Sequence, residues 1–258
     1  PEVGRRRGVA VRETEAKTVK PETKPQEPAS QPADAPAPTP PAPAAVRLRG
    51  HIAIEGVIGA GKTTLAHRLA ERGGGRTILE PVEENPFLRL FYRDRVRYAF
   101  QAQLFFLLSR HGQQIELKQR DLFDELVVCD YLFQKDRIFA NLTLSDHELT
   151  LYNRVAGILE AEVPVPDKVV YLQHPMDTLY ERIRERGRPF ERRIDRDYLR
   201  QLNDAYNYFF FHYDLAPVLI VNSAQVDFDA REDQLEDLVR EINRHRHGIG
   251  YYSPTGRV

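Results

Sequence analysis

The run Gly56-Val57-Ile58-Gly59-Ala60-Gly61-Lys62-Thr63 constrains this chain more than any other. It has the form G-x-x-x-x-G-K-[ST], whose glycines let backbone N–H groups converge on phosphate oxygens with no Cβ in the way. The motif requires a strand–loop–helix junction, and its flanks supply one. His51-Ile52-Ala53-Ile54-Glu55 precedes it as an apolar run that predicts a buried parallel strand. Thr64-Leu65-Ala66-His67-Arg68-Leu69-Ala70-Glu71-Arg72 follows with helical period, and a helix N-terminus adds free donors and the positive end of a dipole. Lys62 is expected to reach the β/γ-phosphates and the Thr63 hydroxyl to bind Mg²⁺. Gly56, Gly59, Ala60, Gly61 and Thr64 complete the expected nucleotide cradle. The chain is therefore expected to bind a nucleoside triphosphate.

The 258 residues divide by composition. Residues 1–45 are rich in Pro, Ala, Glu and Lys and lack apolar periodicity, so they could bury little area against the entropy of ordering. They are expected to form a disordered, Pro/Ala-rich tail, serving solubility alone or docking to a partner. Residues 46–258, roughly 210 in number, suffice for one α/β domain with a sizeable core. The formal charge of −1 gives no reason to expect a nucleic-acid polymer or an anionic membrane as partner. No apolar run approaches transmembrane length, and no secretory h-region is present near the N-terminus. Because the chain opens on Pro1, its natural start is expected to be missing or processed. Cys129 is the only cysteine, which excludes a disulfide framework or a cysteine zinc site and fits a reducing, cytoplasmic setting.

Short apolar runs at Ile52–Ile54, Thr77–Leu79, Leu126–Cys129, Lys168–Leu172 and Val218–Val221 alternate with helical stretches. That pattern predicts a five-stranded parallel sheet flanked by helices. The helices are expected over residues 98–120, 145–162, 175–186, 195–213 and 230–246. Leu104, Phe105, Phe106, Leu108 and Ile115 should form the apolar face of the first. Ser145 and Glu148 read as a capping box, and Gly187 as a helix stop.

In such a sheet, ligands bind where strands end. Glu80 follows the second strand and Asp130 the third. Glu80 is read either as the carboxylate that accepts an acceptor hydroxyl's proton or as part of a solvated acidic turn. Asp130 is a Mg²⁺ ligand, a helix N-cap, or both. Arg182, Arg186 and Arg188 cluster where a helix is broken by Gly187 and Pro189. Guanidinium forks suit phosphate oxygens, so the cluster reads as an arginine-rich lid; the alternative is a solvated helix balanced by Glu181, Glu185 and Glu191.

The stretches IEGVIGAGKTTLA (54–66), EPVEENPFL (80–88), FQAQLFFLLSR (100–110), DYLFQKDRIFANL (130–142) and RGRPFERRI (186–194) together resemble the deoxyribonucleoside kinases, most closely the bacterial deoxyadenosine/deoxyguanosine kinase branch. The resemblance runs from about residue 48 to the C-terminus and implies a P-loop kinase fold. It implies transfer of the γ-phosphate of ATP, with Mg²⁺, to the 5′-hydroxyl of a deoxyribonucleoside, deoxyadenosine or deoxyguanosine before thymidine. Glu80 resembles the family's catalytic base. Tyr92 and Glu191 resemble the pair that hold the 3′-hydroxyl, Gln103 the glutamine that pairs with the base, and Arg110 and Asp136 the ion pair beside it. A homodimer through two long helices is also implied. The bland alternatives are a surface amide for Gln103 and a surface ion pair for Arg110. One departure stands out. Many relatives carry Glu/Asp-Arg-Ser after the third strand, where this chain has Asp130-Tyr131-Leu132. The acid is kept and the arginine is lost, leaving Lys135 or a lid arginine as the candidate replacement. The competing functions are a thymidylate-type nucleotide kinase, which would need a second phosphate site, and a nucleotide-binding regulatory protein with weak catalysis.

Overall fold

In the computed structural model, residues 47–120, 125–224 and 226–254 are described, with the side chains of 119 and 120 excepted. The tail expected over residues 1–45 lies outside them. Strands β1 (Gly50–Gly56), β2 (Arg76–Ile78), β3 (Leu126–Cys129), β4 (Lys168–Gln173), β5 (Val218–Asn222) and β6 (Ile249–Tyr252) form one sheet in the order β2-β3-β1-β4-β5-β6. Every pairing is parallel, with Ala53 opposite Cys129 and Gly56 opposite Leu172. The apolar runs of β1, β3, β4 and β5 are buried almost without a break, as strands covered on both faces must be.

The sheet has six strands where five were expected. The sixth, Ile249–Tyr252, pairs with β5 at the sheet's edge. It is four residues long and carries Gly250 in its interior, which weakens a strand signal. Its Ile and two Tyr are nevertheless of the type that strands favour.

Eight α-helices cover the sheet among the described residues: α1 (Lys62–Gly73), α2 (Leu88–Phe91), α3 (Arg95–Arg120), α4 (Asp136–Thr143), α5 (Asp146–Glu160), α6 (Met176–Arg186), α7 (Arg196–His212) and α8 (Glu232–Arg244). Helix α5 starts where the capping box placed it: the Glu148 carboxylate accepts from Ser145 N at 3.0 Å and from the Ser145 hydroxyl at 2.7 Å. Helix α6 stops at Gly187, whose φ of 66° is left-handed, the conformation in which a Cβ is costly. Helix α4 was not expected at these residues: Asp130, the cap candidate after β3, lies well before its start, and Lys135, which stands at the N-cap, makes no side-chain cap bond.

The long helix α3 corrects the expected apolar face. Leu108 is exposed, and Leu104, Phe105 and Ile115 are only partly buried. The buried face carries Ala99, Ala102, Gln103, Phe106, Leu107, Arg110, Gln114 and Leu117. Three of these are polar because this face turns toward a cavity at the strand ends as well as toward the apolar core.

Candidate active site

The carboxyl ends of β1, β2 and β3 open together beside the point where strand order reverses. Gly56 lies at the end of β1 with no room for a side chain: a Cβ there would meet the Leu172 carbonyl oxygen and the Ala60 methyl, each at 2.8 Å. Gly61 leads into α1 with φ of 86°, again a conformation suited to glycine. The loop between them closes with Ala60 N donating to Val57 O at 3.0 Å. Lys62 folds back over it, and its Nζ donates to Gly56 O at 2.7 Å and Val57 O at 3.3 Å. These carbonyls hold the ammonium where phosphate oxygens would compete for it.

The strand-end acids are tied to this loop and to each other. Asp130 accepts from the Thr63 hydroxyl at 2.6 Å through Oδ2 and from Glu80 N at 2.7 Å through Oδ1. It caps no helix, so the N-cap alternative falls; the turn after it, Phe133–Lys135, is capped at Leu132. The Glu80 carboxylate faces two cations, Arg110 at Oε1 and Lys135 at Oε2, the latter at 2.9 Å. Burial opposes its charge, but Arg110 and Lys135 more than offset this and hold it well below the usual carboxylate range. The solvated-turn alternative falls with that geometry.

A cavity of about 220 Å³ runs from this cluster along α3. Lys62, Thr63, Glu80, Asp130 and Lys135 line it, together with Gln103, Phe106 and Arg110 of α3 and with Tyr92, Arg186, Arg188 and Glu191. Gln103 is buried and no hydrogen bond holds its amide among the described residues, so the surface-amide alternative is excluded. Arg110 is 2 % exposed and bridges Glu80 and Asp136, so its ion pair is internal. Asp136 is equally buried, behind Arg110. The Tyr92 ring stacks on Phe190 with centroids 6.1 Å apart. Burial, with Tyr198 and Glu191 nearby, keeps the Tyr92 phenol far from ionising, and so available as a donor. Arg186 forks onto Glu191 with contacts of 2.7, 2.8 and 3.1 Å.

The third arginine of the cluster stands apart. Arg182 lines a separate cavity of about 250 Å³ behind the phosphate loop, with Ala60, Gly61, Thr64, His174 and Phe228. Its guanidinium lies 3.2 Å from His174 Nε2, which is also 3.0 Å from Ala60 O. The structure thus brings Glu80, Lys62, Arg186 and Arg188 to one cavity and leaves Arg182 and Thr64 at the other.

Sequence reasoning passed over two contributors. Glu55 is fully buried at the end of β1 and accepts from Gly56 N at 3.0 Å and Leu132 N at 2.7 Å. Tyr206 of α7 is buried and lines the cavity. A signal for Glu55 was available: it is the one charged residue in an otherwise apolar strand, and buried charges persist only when partnered.

Residues 52–247 match the family model for deoxynucleoside kinase. The chain is 42 % identical over 156 residues to a deoxyguanosine kinase of Bacillus subtilis (strain 168), covering 60 % of this chain and 75 % of that one. It is 30 % identical over 211 residues to a deoxyadenosine kinase of Lactobacillus acidophilus, covering 77 % of this chain and 97 % of the relative. Among solved structures it is similar to a deoxyadenosine kinase from M. mycoides with bound dATP, at 29 % identity and a TM-score of 0.65, over 75 % of this chain and 99 % of that chain. A structure of that kinase with the products dCMP and a flexible dCDP aligns with a TM-score of 0.66 and the same identity and coverage.

Proposed function

The chain belongs to the deoxynucleoside kinase family, and from that premise we propose that it transfers the γ-phosphate of ATP to the 5′-hydroxyl of a purine deoxyribonucleoside. The observation that carries this reading is the meeting of Lys62 and Thr63 of the phosphate loop with Glu80 in one cavity that Gln103, Arg110 and Tyr92 also line. The donor's phosphates would lie along the loop and its nucleoside in the cavity beside Arg182 and Thr64. The acceptor would lie along α3, its base edge meeting Gln103 and Arg110, which Asp136 backs without lining the cavity, and its 3′-hydroxyl meeting Tyr92 and Glu191.

The donor set fits Mg²⁺. The Thr63 hydroxyl and the Asp130 carboxylate converge beside the loop, and this ion takes one or two protein oxygens and completes its shell with water and phosphate. Bound there, it would neutralise charge on the β- and γ-phosphates. The protein's own groups do the rest. Glu80 accepts the hydrogen of the 5′-hydroxyl and turns its oxygen toward the phosphorus. The bond from the γ-phosphorus to the oxygen of departing ADP breaks, the bond to the 5′-oxygen forms, and the proton passes to Glu80. A carboxylate held so far below its usual range is a weak base, but the transition state is loose, so placement counts for more than basicity. Arg186 and Arg188 close the wall over the phosphoryl group.

Lys62 is pushed down to about 8, chiefly by burial and next by the charge of Lys135, with Glu55, Glu80 and Asp130 pulling the other way. It carries its proton below that pH and sheds it above. Affinity for ATP, read by titration calorimetry, should therefore hold below pH 8. Above it, affinity should fall by up to about tenfold per pH unit, the limit for one linked proton. A constant affinity from pH 7 to 9.5 would contradict the assignment of Lys62.

Arg110→Met tests the substrate assignment. Removing this guanidinium should lower kcat/KM for deoxyadenosine and deoxyguanosine by at least about tenfold, as expected when a buried polar group meant for one base is lost. The melting temperature should fall as well, because Glu80 and Asp136 lose a buried partner, a change of about 3 kcal/mol or more. An unchanged order among the four deoxynucleosides would mean that Arg110 does not face the base.

Two further features belong to the same reading. Leu108 of α3 with Leu151 and Ile158 of α5 are exposed, and α3 packs on α5; this apolar strip would join two copies as a homodimer. Among the described residues no helix is long and apolar enough to cross a membrane, and the lone, buried Cys129 suits a cytoplasmic enzyme.

A further inference from the structure

Lys135 is 2 % exposed, yet its ammonium lies at the cavity end of the turn Phe133–Lys135, not in the apolar core. Its Nζ is 2.9 Å from Glu80 Oε2 and 3.9 Å from Glu55 Oε1. Glu55 has both oxygens engaged by the backbone of Gly56 and Leu132, so its charge is already stabilised without the lysine. The ammonium leans instead toward Glu80 and, with it, lines the cavity. Lys62 lines the same cavity as Lys135 and Glu80. Two ammonium groups confined together repel. Glu80, Asp130 and Glu55 balance them in part, and a phosphoryl group with charge spread over three oxygens is the anion that would complete the balance. Tyr131 supplies no such charge. It is fully buried and turned away, its hydroxyl donating to Gln113 Oε1 at 2.8 Å and accepting from Gln114 Nε2 at 3.1 Å.

We propose that Lys135 is a second catalytic lysine, which presents its ammonium to the phosphoryl group in transit and holds the Glu80 carboxylate toward the acceptor hydroxyl. The inference rests on the kinase reading above. In the transfer Lys135 gives up no proton: the hydroxyl proton goes to Glu80, and the lysine stabilises charge that builds on the equatorial oxygens as the bond to ADP breaks. A purely structural lysine would serve only to neutralise Glu55 and Glu80, and its loss would lower stability without a specific effect on the chemical step.

The experiment compares wild type with Lys135→Gln and Lys135→Arg, following ADP release with ATP–Mg²⁺ and each purine deoxynucleoside, with melting temperature and calorimetric nucleoside affinity measured on the same samples. Glutamine keeps a donor for Glu80 but removes the charge. We expect Lys135→Gln to lower kcat by about 10²-fold, the scale of losing one charge-stabilising group from a transition state, with nucleoside affinity within about threefold. Lys135→Arg should recover kcat to within about tenfold of wild type. A Lys135→Gln variant that is folded, with wild-type kcat, overturns the proposal. Should the glutamine variant fail to fold, the arginine variant decides: a several-fold lower kcat with unchanged nucleoside affinity and melting temperature supports a charge placed at the chemical step, and a kcat equal to wild type, which a merely neutralising residue would give, overturns it. Wild-type protein that phosphorylates no deoxynucleoside would instead refute the kinase reading, so the two failures are separable.

Discussion

Lys62→Ala should abolish turnover with every nucleoside, lowering kcat by at least about 10³-fold, the order expected when a cation on the transferring phosphoryl group is removed. Lys62 Nζ is held over the phosphate loop by Gly56 O and Val57 O at 2.7 and 3.3 Å, the place from which β- and γ-phosphates would recruit it. Alanine has good helix propensity, and this position opens α1, so the substitution should cost little local structure. The loop's glycines and the start of α1 would remain, and nucleoside binding along α3 should be close to unchanged. Retention of most of the wild-type rate would rule out phosphoryl transfer through this loop.

Glu80→Gln should lower kcat by roughly 10²-fold or more, the scale of a positioned proton acceptor, while nucleoside affinity changes modestly. The amide is nearly isosteric, but it cannot take the hydroxyl proton and offers only one acceptor oxygen to Arg110 and Lys135. Both cations retain another carboxylate, Asp136 for Arg110 and Glu55 for Lys135, so the fold should survive. Loss of kcat without loss of binding would place Glu80 at the chemical step. A rise in KM with kcat intact would make it a binding residue and contradict the mechanism.

What could be read from the sequence was local. The phosphate loop declared itself because its spacing, strand and helix are contiguous, and Glu80 and Asp130 because a parallel sheet gathers its strand ends. The joining of those two acids, through Asp130 Oδ1 and Glu80 N at 2.7 Å, is a cross-strand contact that no spacing encodes. Helix α3 shows the limit of periodicity. Counting apolar residues selects Leu108, which is exposed, and passes over Leu107, which is buried, because the inward face also carries Gln103, Arg110 and Gln114. A helix bordering a polar cavity buries polar side chains, so hydrophobic period alone misplaces its inner face. Arg182 and Arg186 are one helical turn apart in α6 and read as one cluster, yet they line different cavities. The linear run cannot tell which side of the phosphate loop each guanidinium serves. For the charge that Tyr131 does not supply, the sequence left Lys135 and the lid arginines as candidates; the 2.9 Å approach of Lys135 to Glu80 is a tertiary contact that the sequence does not show. The edge strand β6 escaped notice because it is short and interrupted by glycine.

The central claim is that the cavity along α3 accepts a purine deoxynucleoside and delivers its 5′-hydroxyl to the γ-phosphate held by the loop. The most direct measurement is kcat/KM of the wild-type chain for deoxyadenosine, deoxyguanosine, deoxycytidine and thymidine, each with ATP–Mg²⁺, with the products identified. The account predicts ADP and the 5′-monophosphate in equal amounts, with a purine preferred over thymidine. Thymidine outperforming both purines would contradict the substrate assignment, and ADP formed without any nucleoside monophosphate would contradict the claim itself.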